Sequence, residues 1–340
     1  MKIAVDAMGG DFAPAEIVKG AAQGSKLHDV DVVLVGDEKA IRRYLPAEFA
    51  ASNRVTIRHT SEVITMDDHV DAVRTKRDAS VVVAASMVKK GEADAMVSVG
   101  NTAAAMAVAT LRLGRIKGID RPAIACVWPG RHGPTIMLDA GAVADCSVEN
   151  LTQFAVMGSV YAEKVFSIQN PRVALLSIGE EKSKGNEVVR ATYEVLAASK
   201  LNFIGNVEGR HLLSNEADVI IADGFAGNVA LKVAEGLIEH VTGVIKDDLR
   251  VHPLAKIPLL LLAPMFRRLQ KKLDYAEHGG APLLGLDGVC IIGHGRSNAR
   301  AVASAVRAAK EAVNGHVVST IRDSIIGADK QEPMQVGNNS

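Results

Sequence analysis

MKIAVDAMGGDFAP, residues 1–14, is the stretch that decides the fold class. The apolar run Lys2–Val5 predicts a strand ending at Asp6, Gly9-Gly10-Asp11 predicts a turn, and Pro14 opens a helical pattern. Strand, glycine turn and helix N-terminus in that order build an anion pocket in α/β proteins. Amide N–H groups and the helix dipole converge on the ligand there, and glycine lets it approach. A glycine pair after a strand is also an ordinary βα turn, so this segment alone leaves both readings open.

Outward from it the same rhythm repeats. Strands are predicted at Lys2–Val5, Val30–Val35, Arg54–Arg58, Ala95–Ser98, Ala123–Trp128, Thr135–Leu138, Val173–Ser177, Asn202–Asn206, Val219–Ala222 and Gly288–Ile292. Helical spacing of apolar residues marks Ser80–Lys90, Val148–Lys164, Glu187–Ser199, Val229–Leu249 and Asn298–Val313. The alternation predicts a mostly parallel sheet with right-handed crossovers, a Rossmann-like α/β/α architecture. A composition that is 48% apolar and only 4% aromatic suits strands buried on both faces. One large α/β catalytic domain is expected over residues 1–327, with a disordered polar tail over 328–340. In the Val229–Leu249 helix, Val233, Leu237, Val241, Val244 and Ile245 make one stripe, expected to be core or subunit interface.

Net charge is zero, which removes any general bias toward polyanions, and no nucleic-acid partner is expected. The three cysteines, Cys126, Cys146 and Cys290, lack metal-ligand spacing and read as core residues of a protein in a reducing compartment. No metal and no cofactor are expected. Asp6 interrupts the place where a signal peptide needs apolar residues, and no apolar run approaches the roughly 20 residues of a membrane span, so the expected location is cytoplasmic.

Residues 250–273, RVHPLAKIPLLLLAPMFRRLQKKL, break the rhythm. An apolar block containing Leu260 and Leu261 is interrupted by Pro258 and Pro264, and is followed by Arg267, Arg268, Lys271 and Lys272. Such a helical, basic-apolar insertion suits a peripheral membrane surface or an acidic protein partner; a buried hairpin with a solvated basic edge is the equal alternative.

The chemistry is expected where strands end. Ser98-Val99-Gly100-Asn101-Thr102, Asp139-Ala140-Gly141, Ser177-Ile178-Gly179-Glu180-Glu181, Asp223-Gly224-Phe225-Ala226-Gly227-Asn228 and Gly293-His294-Gly295-Arg296-Ser297-Asn298 share a small or acidic residue, glycine and a helix start. In an open α/β sheet these ends line the ligand crevice. No GxGxxG opens a helix and no Walker lysine is present, which sets aside dinucleotide and ATP sites; no GxSxG elbow supplies a serine nucleophile. Donors abound instead: Asn101, Thr102, Lys182, Lys184, Asn228, His294, Arg296 and Asn298. Many donors without a protein nucleophile suit a reaction whose nucleophile is an anionic substrate, inorganic phosphate first of all. Asn101, Thr102 and Asn298 also stand where helix N-caps belong.

On these residues the chain resembles a known family. MKIAVDAMGGDFAP, SVGNTAAAM (98–106), LDAGA (138–142), QFAVMGSVYAE (153–163), NPRVALLSIGEE (170–181), ADGFAGNVALK (222–232) and GGAPLLG (279–285) are similar, in order, to segments of the bacterial PlsX phosphate acyltransferase family. Val99, Ala103, Val143 and Ala226 depart from the family wording, while Asn101, Thr102, Asp145 and Asn228 keep it. The resemblance implies a fold like that of phosphate acetyltransferases and isocitrate or isopropylmalate dehydrogenases, and a homodimer without cofactor. It implies transfer of a fatty acyl group from acyl carrier protein to inorganic phosphate, giving acyl phosphate for phospholipid synthesis. The product then goes to a membrane glycerol-3-phosphate acyltransferase. Under that implication phosphate sits on the Gly9-Gly10-Asp11 and Gly100–Thr102 turns with Asp223, Gly227 and Arg296, and Lys184 supplies further charge. Asn101, Lys184, Asn228 and His294 are the expected catalytic residues, Asn228 and His294 as oxyanion donors. Asp6, Asp139 and Asp223 are expected to orient donors or cap turns. Leu260, Leu261, Arg267, Arg268, Lys271 and Lys272 would meet the acidic carrier protein or the membrane. An acyl-CoA-dependent enzyme and a non-catalytic membrane-surface scaffold for lipid enzymes are the competing readings.

Overall fold

The computed structural model describes residues 1–50, 52–130, 132–251, 264–265 and 280–329. Its strands are Lys2–Asp6 (β1), Asp31–Gly36 (β2), Val55–His59 (β3), Ala95–Ser98 (β4), Ala123–Ile124 (β5), Cys126–Pro129 (β6), Pro134–Leu138 (β7), Val173–Leu176 (β8), Phe203–Val207 (β9), Val219–Ile221 (β10), Ala281–Leu284 (β11) and Val289–Ile292 (β12). They form two sheets, ordered β3-β2-β1-β4-β12-β11-β5 and β6-β7-β10-β8-β9. Pairing is parallel except where β11 meets β12 and β5, and where β6 meets β7. Parallel strands must be covered on both sides, and β1 shows it: Ile3, Ala4, Val5 and Asp6 are all buried.

Every predicted strand is present, and the differences have physical causes. The run 123–128 is divided at Ala125, whose N–H donates to the Pro282 carbonyl at 3.0 Å. Its first half pairs with β11 and its second with β7, so this segment passes the chain from one sheet to the other. The strand β11 was not predicted because Pro282 removes a ladder donor, the signature of a non-strand. It is tolerated beside an antiparallel neighbour.

One face of both sheets forms a continuous core: Ala4, Met96 and Ile292 of the first run on to Met137, Ala174 and Ile220 of the second. The helices Ser80–Lys89 and Thr102–Arg112 cover it. On the opposite face the helices Ala15–His28 and Ala299–Asn314 pack on the first sheet, and Val148–Phe166 on the second.

One expectation is narrowed and one is corrected. The stripe Val233, Leu237, Val241, Val244 and Ile245 is not core: each of these residues is exposed, Leu237 at 60%, along the helix Gly224–Val251. The last helix, Val317–Asp329, runs through Ala328 and Asp329, which therefore are not part of an unpatterned tail. Among the described residues no helix is long and apolar enough to cross a membrane. Leu260, Leu261, Arg267, Arg268, Lys271 and Lys272 lie outside the described residues, as does the chain from 330 onward.

Candidate active site

The glycine loops gather at the carboxyl ends of the strands in two groups. In the first, Asp6 ends β1 fully buried. Its carboxylate accepts from Ser80 Oγ at 2.6 Å and Ser98 Oγ at 2.7 Å. Burial pushes this carboxyl up, against the opposing pull of the two hydroxyls and the Met8 and Gly9 amides. Gly9 lies directly on Gly100: a Cβ at Gly9 would stand 2.6 Å from Asp6 Oδ2 and 2.9 Å from the Gly100 Cα. The Asp11 amide donates to the Gly295 carbonyl at 2.8 Å, which draws the 293–298 loop onto the same spot.

These bonds place the opening turn. The Asp11 amide is taken by the Gly295 carbonyl, and Gly9 packs against Asp6 and Gly100. Gly9 and Asp11 thus join the opening turn to the 98–101 and 293–298 loops. Asn101 is the N-cap of the Thr102–Arg112 helix, with Oδ1 accepting from the Ala104 amide at 3.1 Å. Its Nδ2 donates to the carbonyls of Met66 at 3.1 Å and Asp68 at 3.2 Å. The Asn101 side chain thus caps this helix and at the same time holds the 66–68 loop. Thr102 is the first helical residue rather than the cap, and its amide is one of the helix-end donors that Asn101 leaves to a ligand. Asn298 caps the 299–314 helix as expected.

In the second group Asp139 ends β7 with no exposure. Its carboxylate accepts from the amides of Ile124 (2.9 Å), Gly141 (3.2 Å), Ala142 (2.8 Å) and Val143 (2.6 Å). Ile124 belongs to the first sheet and the other three to the turn beside β7, so one carboxylate ties the sheets together. Burial raises its proton affinity, opposed by those four amides. The start of the 224–251 helix is seated on this unit. Gly224 N donates to the Val143 carbonyl at 2.8 Å, and a Cβ at Gly224 would stand 2.6 Å from Asp139 Oδ2. Gly227 packs its Cα against the Asp139 carbonyl and its amide goes to Asp223 O, while Asp223 Oδ1 accepts from Ala226 N at 2.7 Å. Asp223 and Gly227, expected as phosphate contacts, build this helix end.

What remains for a ligand is a set of exposed donors. Asn228 lies against Gly141, whose Cβ position is 3.5 Å from Asn228 Oδ1, and its amide has no hydrogen-bond partner among the described residues. Lys184 crosses Gly179 in the loop after β8, and Arg296 follows His294 after β12; neither has a carboxylate partner among the described residues. Lys182 is different: it pairs with Glu194 at 2.9 Å over the Tyr193 ring, turned to the outer helix. His294 Nδ1 accepts from the Arg296 amide at 3.2 Å, which ties the ring to its own loop. Thus Gly9, Gly10, Asp11, Gly100, Asn101, Thr102, His294 and Arg296 are brought together on the first sheet, and Asp139, Asp223, Gly227 and Asn228 on the second. Lys184 lies in the loop that follows β8, the strand next to β10.

No thiol here is a nucleophile. Burial pushes Cys126 and Cys290 up to about 12, and burial with the nearby aspartates takes Cys146 to about 11. Sequence reasoning missed Ser80 as the partner of Asp6. Nothing in the sequence connects the two across 74 positions.

Residues 1–320 match a family described as "Fatty acid synthesis protein". The chain is 50% identical over 327 residues to the phosphate acyltransferase of Desulfitobacterium hafniense (strain DSM 10664 / DCB-2), covering 96% of this chain and 98% of that one. It is 51% identical over 336 residues to the phosphate acyltransferase of Heliobacterium modesticaldum, covering 98% and 100%. In fold it is similar to a phosphotransacetylase from Streptococcus pyogenes, with a TM-score of 0.64, 18% identity and 94% of each chain covered.

Proposed function

The chain belongs to the fatty acid synthesis protein family, and on that premise we propose that it is a phosphate acyltransferase that moves a fatty acyl group from acyl carrier protein to inorganic phosphate. The observation that carries this reading is its half-identity to phosphate acyltransferases over nearly the whole of both chains. The reading is supported by strand-end donors, Asn228, Lys184 and Arg296, that have no carboxylate partner among the described residues.

In the reaction, a phosphate oxygen attacks the thioester carbonyl carbon, the C–S bond breaks, and the carrier leaves as a thiolate that takes up a proton. Lys184 and Arg296 would hold the phosphate dianion, with the free amides at the start of the 102–112 helix. The tetrahedral oxyanion would be met by Asn228 and His294, each such donor contributing about 3 kcal/mol. A thiol of pKa about 8.5 leaves without much help. Purified protein given phosphate and acyl carrier protein thioesters should release thiol and form acyl phosphate. No phosphate-dependent thiol release would point to a scaffold, and equal turnover of CoA thioesters would point to an acyl-CoA enzyme.

The segment that carries Arg267, Arg268, Lys271 and Lys272 fits the acidic carrier. Charge reversal at Arg267 and Arg268 is expected to raise KM for the carrier thioester about tenfold, more at low salt, with the phosphate KM unchanged. A matching rise in both would remove the docking role. The product, an acyl phosphate, would be handed to a glycerol-3-phosphate acyltransferase at the membrane, with Leu260 and Leu261 touching the surface.

A homodimer is supported by the exposed stripe on the 224–251 helix. Five apolar residues on one exposed face form a patch that monomers rarely leave bare. Leu237→Glu with Val241→Glu should shift the protein from dimer to monomer in sedimentation; an unchanged dimer would place the interface elsewhere.

A further inference from the structure

Two large apolar side chains stand exposed in the strand-end loops. Phe225 is 69% exposed at the start of the 224–251 helix, and Ile178 is 83% exposed in the loop after β8. Neither joins any buried cluster. They follow neighbouring strands: Ile221 of β10 is in register with Leu175 of β8, and Ile178 stands three residues beyond the one, Phe225 four beyond the other. Phe225 is not a loose loop residue. Its backbone is fixed by the Gly224 amide on Val143, by the Asp223 cap on Ala226 and by Gly224 and Gly227 seated on Asp139. Asn228 is three residues on, so the two side chains neighbour one another on the helix surface.

We propose that Phe225 and Ile178 form an apolar shelf that receives the first methylenes of the acyl chain and thereby selects long acyl groups over short ones. This rests on the phosphate acyltransferase reading. When Asn228 holds the carbonyl oxygen, the carbons next to that carbonyl lie within about 5–6 Å of a side chain one helical turn away. An acyl chain covers both exposed side chains, whereas an acetyl group has no methylene to place there. The rigid seat matters, because a side chain already held in place gives up little freedom on contact.

The test uses the full chain and acyl carrier protein loaded with acetyl or palmitoyl groups. Phe225→Ala and Ile178→Ala should each lower kcat/KM for palmitoyl transfer about tenfold and leave acetyl transfer within about twofold, with Phe225→Leu retaining most of the palmitoyl activity. The phosphate KM and the melting temperature should not move, since both side chains are exposed. Equal losses on both thioesters, or none, overturn the shelf while leaving the enzyme reading intact. A variant that turns monomeric overturns it too, by assigning Phe225 to the second copy. A wild type that forms acyl phosphate from neither thioester overturns the parent reading and the shelf with it.

Discussion

Asp139→Ala is expected to destabilise the protein by about 3–5 kcal/mol and to abolish activity at temperatures where the wild type is fully folded. Four amides, that of Ile124 buried and those of the 141–143 turn part-buried, terminate on this one carboxylate, and alanine leaves all of them without that acceptor. Each orphaned donor costs about 1–3 kcal/mol, reduced where water enters the cavity. The loss is not local. Ile124 and the 141–143 turn come apart, which frees β5 of one sheet from β7 of the other. The Asn228 helix loses its seat at the same moment. Asp139→Asn keeps the volume and one acceptor, so its cost should be smaller.

The pH dependence separates charge from shape. Burial raises the folded carboxyl above 3.8, its unfolded value, so between the two the native state holds a proton that the unfolded chain has released. Wild-type stability therefore declines as pH rises from 3.8 through the folded value, and the asparagine variant lacks that decline. The advantage of wild type over Asp139→Asn should be greatest at the acid end of that window and narrow across it. Calorimetry from pH 4 to 8 reads both effects. An alanine variant melting within about 2 °C of wild type would show that the four amides find water and that Asp139 is no clamp.

The sequence exposes this unit only in part. Strand and glycine spacing located the strand-end loops, because period-two runs and glycine turns are local signals. What each loop residue does is not local. Asn101 carries the wording of a donor, yet both ends of its amide are spent on Ala104, Met66 and Asp68, and the last two partners stand more than 30 residues away. Asp139 and Asp6 look alike as acids ending strands. Only three-dimensional packing shows that one binds hydroxyls of distant helix and strand while the other gathers backbone amides from two sheets. The stripe of the 224–251 helix was legible as apolar, but periodicity cannot say whether such a face meets its own core or a second chain. Phe225 and Ile178 escaped notice because an isolated apolar residue in a polar loop carries no periodic signal at all.

Gly9→Ala is expected to lower kcat/KM by about a hundredfold while costing only about 1–3 kcal/mol of stability. The added methyl meets Asp6 Oδ2 at 2.6 Å and the Gly100 Cα at 2.9 Å, and neither can yield cheaply. Asp6 is fixed by Ser80 and Ser98, and Gly100 is backbone immediately before the Asn101 cap. The contact has to open by several tenths of an ångström, and that displacement passes into the first amides of the 102–112 helix, where phosphate is expected to sit. A bound nucleophile displaced by as little as about 1 Å from its line of attack loses on the order of a hundredfold in rate. Gly236→Ala is the control. Among the described residues nothing lies within 4 Å of the methyl it would add, and it replaces glycine inside a helix, so it should leave kcat/KM unchanged and add up to about 1 kcal/mol of stability. If Gly9→Ala instead kept wild-type turnover with the same phosphate KM, the Gly9–Gly100 contact would be simple packing. The phosphate would then have to bind away from the opening turn altogether.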